Sequence, residues 1–128
     1  MKDPRSAIER HHMAINSRNL KNYIDTVVFP FTYQNYNGLA ITIEKSDEYG
    51  IKYPTPWDII LATDPNWSHT EFDEITELMK GSNSVAYRVV FRRIDSVGSS
   101  VEQSHAIWIA VHKFDRWGVQ FRHNMGSI

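Results

Sequence analysis

The chain has 128 residues, of which 41% are hydrophobic and 23% are charged, a composition typical of one globular domain. Its formal net charge of -1 argues against nucleic acid as a partner, because nucleic-acid binding requires a basic surface. The absence of cysteine excludes a disulfide scaffold, a thiol nucleophile and a thiolate metal site.

The first residues contain no apolar segment of the kind found in signal peptides. No apolar run approaches the roughly 20 residues that a membrane helix needs. We therefore expect a cytoplasmic protein with no membrane partner. No linker, repeat or low-complexity segment divides the sequence, so residues 1–128 are predicted to form a single domain.

Two helices are predicted in the first 28 residues. Asp3 followed by Pro4 is typical of a helix start, with a capping carboxylate and then proline. The apolar positions that follow lie on one helical stripe: Ala7, Ile8, His11 and Ile15. Asn19 is predicted to cap a second helix that ends before Pro30. Its apolar face has helical spacing: Leu20, Tyr23, Ile24, Val27 and Val28.

The hydrophobic period changes from helical spacing to two at Phe31. Residues 31–36 and 39–43 are predicted to form a hairpin, because Asn37-Gly38 between them is a preferred two-residue turn. Residues 44–49 are polar and are predicted to be helical. Residues 53–56 are predicted to be extended, and residues 57–62 to form a further helical turn.

The second half of the sequence predicts a long antiparallel meander. Its predicted strands are residues 67–79, 85–94, 102–114 and 117–125. The alternation of the first of these strands changes phase around residues 73–75, which indicates a bulge. Long strands joined by short turns predict a strongly curved sheet. Two helices ahead of such a meander predict an α+β fold with the helices on one face of the sheet.

Two segments, one near each end of the chain, resemble segments of a known family. Residues 8–20 have the sequence IERHHMAINSRNL, a helix, a short polar break and a second helix. Residues 106–119 have the sequence AIWIAVHKFDRWGV, in which an aromatic residue, a charged turn and Gly-Val lead into the last strand. Both resemble the nuclear transport factor 2-like domain, also called the SnoaL-like or cystatin-like cone, and the order of elements extends this resemblance over nearly the whole chain.

The resemblance implies a cone in which the curved sheet wraps around the helices and leaves a pocket at its wide end. It also implies a homodimer formed through the outer face of the sheet. Some members transform small apolar molecules, as steroid isomerases, polyketide cyclases, dehydratases and epoxide hydrolases. Others serve as assembly or transport modules without catalysis, so the resemblance predicts the fold more specifically than the function.

The residues that act in the family's steroid isomerases are missing from the matching positions. By the resemblance, the oxyanion tyrosine falls on His11, the general base near Asn35 and the second oxyanion acid near Ala110. Asparagine accepts no proton at neutral pH, and alanine has no donor. Because the isomerase mechanism needs a carboxylate base and a protonated acid, a standard ketosteroid isomerase is not predicted.

Histidines are the main candidates for proton transfer, because imidazole titrates near neutral pH. Alternation places Trp108, His112 and Phe114 on one strand face, which by the resemblance looks into the cone. If the protein is an enzyme, we predict cofactor-free cyclase, isomerase or dehydratase chemistry with His112 as base and His11 or Tyr33 as acid. The alternative is that these histidines bond to backbone or water at the edge of the core. The rest of the predicted pocket lining is Phe31, Asn35, Trp57, Trp108 and Phe114.

The arginines of the predicted sheet have two possible roles. Arg88 and Arg92 share a strand face, Arg93 points the other way, and Arg122 lies in the last strand. An arginine inside the cone would pair with a carboxylate or bind an anionic substrate through its planar fork. Arginines on the outer face would form cross-strand ion pairs with one of three acids: Glu71, Glu74 or Glu102.

A metal site is weakly indicated at His69, Glu71 and Asp73, which alternate onto one strand face. An acidic solvated face explains them equally well, so we predict no metal and no cofactor. The leading functional prediction is the binding of a small apolar molecule, and the sequence leaves open whether catalysis follows. The alternative is a non-catalytic dimerisation or scaffold module whose pocket is filled by its own side chains.

Overall fold

The computed structural model describes residues 2–100 and 102–128, and this part of the chain contains three helices and six strands. The helices are α1 (Pro4–Ser17), α2 (Leu20–Asp25) and α3 (Pro56–Thr63). The strands are β1 (Val27–Asn35), β2 (Ala40–Ile43), β3 (Trp67–Lys80), β4 (Ser84–Asp95), β5 (Ser104–Lys113) and β6 (Arg116–Ser127). No helix in the described residues combines the length and apolarity needed to cross a membrane.

Helix α1 begins and packs as its sequence predicts. The Asp3 carboxylate accepts a hydrogen bond from the backbone N–H of Ser6 at 2.9 Å and so satisfies a free donor of the first turn. The buried face of the helix comprises Ala7, Ile8, His11, Ala14 and Ile15. Arg18 ends the helix in the left-handed conformation, with φ of 53°.

Helix α2 is shorter than predicted, because Val27 and Val28 belong to β1. Val27 pairs with Val119 of β6, whose backbone N–H donates to the carbonyl of Thr26 at 2.8 Å. β-Branched valines fit a strand well. Both valines are buried. Because they follow the apolar face of α2 at helical spacing, the sequence pattern alone could not show that they lie in a strand. The prediction that they extend the helix is wrong.

The six strands form one sheet in the order β2-β1-β6-β5-β4-β3. Strands β1 and β6 are parallel, and the other neighbours are antiparallel. The predicted first hairpin is confirmed as β1 and β2, with Phe31 paired to Ile43. Its turn is longer than the predicted two residues, because the Asn35 N–H donates to the Leu39 carbonyl and only Gly38 has a positive φ. Between β2 and α3, the helix predicted at residues 44–49 is only a 3-10 turn at Ser46–Glu48. The helix predicted at residues 57–62 is confirmed as α3.

The long strands are interrupted where the alternation of the sequence changes phase. The pairing of β3 with β4 shifts register between Phe72 and Glu74, which confirms the predicted bulge. Strands β5 and β6 are joined through Phe114 and Asp115, whose φ angles are 54° and 60°. Two consecutive positive φ values are characteristic of the tightest hairpin turns, whose twist matches that of the strands.

The core lies between the helices and one face of the sheet. Helix α1 contacts β5 and β6, and this packing defines the inner face of the sheet. Buried side chains of that face come from four strands and include Tyr33, Tyr87, Trp108 and Val119. The predicted α+β architecture, with the helices on one face of a mostly antiparallel sheet, is confirmed.

Candidate functional site

A cavity lies between α1, α3 and the inner face of the sheet. Its free volume is about 60 Å³, and the space between atoms amounts to about 580 Å³ only when the open solvent at its mouth is counted. Six large apolar residues line it: Ile15, Ile59, Ile60, Phe72, Phe91 and Trp108. Six residues bring polar groups to it: His12, Tyr33, Thr70, Arg93, Arg122 and Asn124.

The register of the sheet places the polar groups of the inner face side by side. Tyr33 of β1 is opposite Arg122 of β6, and Arg122 is opposite Trp108 of β5. Residues opposite each other in neighbouring strands point to the same face. This row therefore faces α1 and carries one guanidinium group into an otherwise aromatic wall.

Arg122 lies in aromatic surroundings and is 8% exposed. Its guanidinium carbon is 5.1–5.9 Å from the ring centroids of four residues: Tyr23, Phe31, Tyr33 and Trp108. Its Nη2 donates to the Tyr23 hydroxyl at 3.3 Å, and its buried Nε has no hydrogen-bond acceptor among the described residues. None of the ion pairs in residues 2–100 and 102–128 includes Arg122. The aromatic rings stabilise the cation, yet no described carboxylate neutralises it.

Arg93 is the second guanidinium group of the cavity. It is half-buried beside the Phe91 ring, at 5.8 Å from the ring centroid, and its buried Nε lacks an acceptor. Burial lowers the pKa of Arg93, and the positive charge of Arg122 lowers it further. Asp64 acts in the opposite direction on that pKa but forms no ion pair with Arg93 in the described residues. Arginine side chains are not deprotonated in proteins at neutral pH, so Arg93 stays charged despite this lowering of its pKa.

His12 is the imidazole that reaches the cavity. Its ring stacks on Phe72 with a centroid distance of 3.8 Å. Burial lowers the pKa of His12 to about 4, with a smaller contribution from the charge of His69. The ring is therefore neutral at pH 7.

His11 lies behind the cavity wall and is fully buried. The Thr26 hydroxyl donates to the backbone carbonyl of Tyr23 at 2.7 Å, so it accepts from His11 Nδ1, which is 2.8 Å away. This network assigns the proton to Nδ1 and leaves Nε2 as an acceptor with no donor. Burial lowers the pKa of His11 well below its usual range, so the ring is neutral. His11 packs edge-on against Trp108 and does not line the cavity.

His112 and Phe114 do not face the cavity, so their prediction as pocket residues is wrong. Phe114 is 74% exposed, and His112 is exposed beside the Trp117 ring. The His112 backbone N–H donates to the Asn83 carbonyl at 2.9 Å, at the end of the sheet away from its buried part. Alternation along β5 is correct as far as Ala110. The strand then continues past the core into the hairpin, where the same face meets solvent.

The other predicted pocket residues divide into two groups. Tyr33 and Trp108 line the cavity. Phe31 instead lines a smaller adjoining hollow. Trp57 packs near Tyr23 outside the cavity lining, with ring centroids 6.1 Å apart, and Asn35 is next to Asn124 in the sheet but is also outside the lining. The structure thus does not unite His11, His112 and Tyr33 in one site.

Five polar lining residues were missed or left unassigned by the sequence: His12, Thr70, Arg93, Arg122 and Asn124. Arg122 and Asn124 are two residues apart in β6, so they share its inner face. Arg93 points away from the face of Arg92, as the alternation of β4 predicted. These alternations were the available signal, but they could not show which groups would lack a partner.

The outer face of the sheet carries the ion pairs that the sequence offered as one interpretation. Arg88 Nη1 is 2.8 Å from Glu74, and Arg92 contacts Asp73 at 2.8 Å and Glu71 at 3.2 Å. In the described part of the chain, no three His, Asp or Glu side chains converge as a metal site. The Asp73 carboxylate is bound by Arg92, which lowers the pKa of Asp73 below its usual range.

No protein-family model and no curated protein sequence matches the chain. Solved structures do match it. A candidate calcium/calmodulin-dependent protein kinase type II association domain from Thiobacillus denitrificans has a TM-score of 0.74 and 12% identity, covering 97% of this chain and 94% of that one. A candidate ketosteroid isomerase from Shewanella frigidimarina has a TM-score of 0.71 and 10% identity, covering 94% and 93%. An NTF2-like protein with a cystatin-like fold from Novosphingobium aromaticivorans has a TM-score of 0.66 and 14% identity, covering 94% and 77%.

These similarities show that the chain has the cystatin-like, NTF2-like fold that its two ends resemble. Sequence identities of 10–14% carry over the fold alone. The activity therefore has to be argued from the cavity.

Proposed function

We propose that the protein binds a small, largely apolar molecule in the cavity between α1, α3 and the sheet. The observation that carries this proposal is the open cavity itself, walled by large apolar side chains with a few polar groups converging on it. Such a combination is typical of ligand sites. A scaffold module that fills its own pocket would have no comparable space there.

A cavity-filling substitution tests this proposal. Ala106 lines the cavity, and Ala106→Leu adds three carbons to its wall. Ala86 is opposite Ile109 on the outer face, so Ala86→Leu adds the same volume away from the cavity. Ligand-observed NMR with a library of one-ring and two-ring compounds is expected to show binding to the wild type and to Ala86→Leu, and loss of that binding in Ala106→Leu. Equal binding to all three proteins, or no binding to any, would contradict the proposal.

We also propose that the protein catalyses proton transfer on the bound molecule. The residues that act as acid and base are then not the ones predicted from the sequence. His12 brings an imidazole to the cavity and Tyr33 a phenolic hydroxyl, whereas His112 is exposed and His11 lies behind the wall. The lowered pKa keeps His12 in its neutral form at pH 7, with a free nitrogen lone pair, and also makes it a weaker base than an exposed imidazole. Turnover of any ligand found by NMR is expected to fall in His12→Gln and to persist in His112→Gln. The opposite result would contradict this assignment.

We also propose that a second copy of the chain covers the outer face of the sheet. Ile107, Ile109 and Val111 alternate on that face of β5, and Phe121 of β6 is opposite Ile109. All four are half-buried, which leaves an apolar stripe open on the side away from α1. The association domain among the structural neighbours has the same fold, which supports this second proposal.

Sedimentation equilibrium tests the dimer. Ile109→Asp introduces a charge into the stripe and is expected to give a monomer. Val97→Asp introduces the same charge at a turn residue that is 83% exposed, and it is expected to leave the dimer intact. A monomeric wild type would contradict the proposal.

The predicted cytoplasmic location stays a prediction.

A further inference from the structure

The cavity contains two cationic groups that lack an anionic partner in the described residues. Arg93 and Arg122 both line it, and the buried Nε of each has no acceptor. Arg122 is more than nine-tenths buried, since it is 8% exposed. The only hydrogen bond of its guanidinium group within the described residues goes to the neutral Tyr23 hydroxyl.

Pairing elsewhere in the sheet shows what these arginines lack. Arg92, next to Arg93 in sequence, donates to both oxygens of Asp73 at 2.8 Å and 2.9 Å and to Glu71 at 3.2 Å. Three acids of β3, Glu71, Asp73 and Glu74, are therefore engaged on the outer face, where Arg93 cannot meet them. A guanidinium N–H that is buried without an acceptor destabilises the fold. Such an arrangement is expected where the acceptor comes from a ligand.

We infer that the ligand of this cavity is an organic acid, a carboxylate carried on an apolar body. The carboxylate binds Arg122 at the aromatic end of the cavity, and the positive charge of Arg93 attracts it as well. The apolar body lies against the side chains of α3 and β3, chiefly Ile59, Ile60 and Phe72. This inference rests on the proposed function, because it specifies the molecule that the cavity binds.

A carboxylate fits these surroundings better than a more highly charged anion. The planar guanidinium fork matches a planar carboxylate, and charge-assisted hydrogen bonds between them are strong in a site of low polarity. Most of the wall is apolar, and the remaining polar groups of the lining are neutral at pH 7, including His12 and Asn124. A molecule with one negative charge and a large apolar body would contact both the arginines and the apolar wall of the cavity.

Paired acids and amides test the inference, because each pair differs in charge and keeps its shape. The probes are benzoate and benzamide, indole-3-acetate and its amide, and phenyl phosphate as a doubly charged anion. Titration calorimetry at pH 7 is expected to show at least one acid binding about tenfold or more tightly than its amide. Phenyl phosphate is expected to bind more weakly than benzoate.

Substitutions assign the preference to the two arginines. Arg122→Met and Arg93→Met are each expected to reduce the ratio of acid to amide affinity, with Arg122→Met bringing it close to one. Arg122→Lys keeps the charge without the fork and is expected to retain an intermediate preference. Arg88→Met is the matched control on the outer face and is expected to leave the ratio unchanged. The wild-type comparison stands even if a substitution at Arg122 prevents folding.

The outcomes separate this inference from the proposed function. Acids and amides that bind with equal affinity would overturn the inference while cavity binding stands. Binding of neither, together with the absence of any hit from the NMR library, would overturn both. A preference for phenyl phosphate over benzoate, or an acid preference that survives Arg93→Met combined with Arg122→Met, would also overturn the assignment of a carboxylate to these arginines.

Discussion

Arg92 and Arg93 are neighbours in β4, yet they point to opposite faces of the sheet and meet opposite surroundings. On the outer face, Arg92 and Arg88 contact the acids of β3 in water-exposed ion pairs. On the inner face, Arg93 and Arg122 are enclosed by apolar and aromatic side chains and have no carboxylate partner in the described residues. Exposed pairs typically contribute about 0–1 kcal/mol each, whereas an unsatisfied buried donor costs about 1–3 kcal/mol. The outer arginines thus contribute little to the stability of the fold. The inner arginines lower it, which indicates that they serve ligand binding.

Adjacent residues of β5 should show the largest difference between the two faces. Trp108 is 6% exposed on the inner face, while Ile109 is half-buried on the outer one. Trp108→Ala is expected to lower the free energy of unfolding by about 3–5 kcal/mol, because it leaves a cavity in the core. Ile109→Ala is expected to cost about 1 kcal/mol, since only part of its surface is lost from contact. Urea denaturation measures both, and equal losses would show that the two faces are not different.

The next largest effect is expected in the pH dependence of stability, because the inner and outer faces contain groups that titrate in different pH ranges. The pKa of His12 is about 4 in the folded protein and about 6.5 when unfolded, so the unfolded chain binds more protons between these values. Stability is therefore expected to fall as the pH decreases from about 6.5 towards 4, by on the order of 2–3 kcal/mol from His12. Buried His11 acts in the same direction.

Asp73 on the outer face should act only at lower pH. Arg92 lowers the pKa of Asp73, so the stability that this pair supplies is lost as the pH falls below the usual carboxyl range of about 3.8. Denaturation midpoints between pH 3 and 8 test both effects. His12→Gln is expected to flatten the curve between pH 4 and 6.5 and to leave the lower region alone. An unchanged slope in that variant would contradict the burial of a neutral His12.

Removing one arginine from each face is expected to change stability in opposite directions. Arg93→Met takes an unpartnered guanidinium group out of apolar surroundings and is expected to stabilise the protein by about 1 kcal/mol. Arg92→Met removes contacts with Asp73 and Glu71 and is expected to destabilise the protein slightly, because the ion pairs that it loses are exposed. Thermal denaturation distinguishes the two, and a loss of stability in both variants would indicate that Arg93 is satisfied within the protein.

The smallest expected effect is the coupling of one outer ion pair. A double-mutant cycle with Arg88→Ala and Glu74→Ala is expected to give a coupling close to zero, because the pair is exposed. Raising the salt concentration to about 1 M is expected to remove most of this coupling by screening. A coupling above about 2 kcal/mol would show that the outer pairs hold the sheet together after all.

The fold was predictable where one stretch of sequence determines one element. The Asp3 cap, the first hairpin and the bulge near residue 73 depend on neighbouring residues alone, and all three are confirmed, although the turn of the hairpin is longer than the predicted Asn37-Gly38 pair. Val27 and Val28 were assigned wrongly because their place in a strand depends on pairing with β6, more than 90 residues away in the chain.

The site was predictable only in part, for the same reason. Alternation correctly placed Tyr33 and Trp108 in the wall, because it determines the face of a strand. It could not show where the core ends along β5, so His112 was taken for a pocket residue. Alternation also could not show whether Arg93 and Arg122 have an acidic partner. That depends on which side chains several neighbouring strands bring to the same face.

A crystal structure with 4-iodobenzoate tests the central claim most directly, because the anomalous signal of iodine fixes the orientation of the ring. The account predicts iodine among Ile59, Ile60 and Phe72, with a carboxylate oxygen within about 3 Å of an Arg122 guanidinium nitrogen. Iodine bound only on the outer face, or a ring in the cavity with its carboxylate turned to solvent, would contradict it.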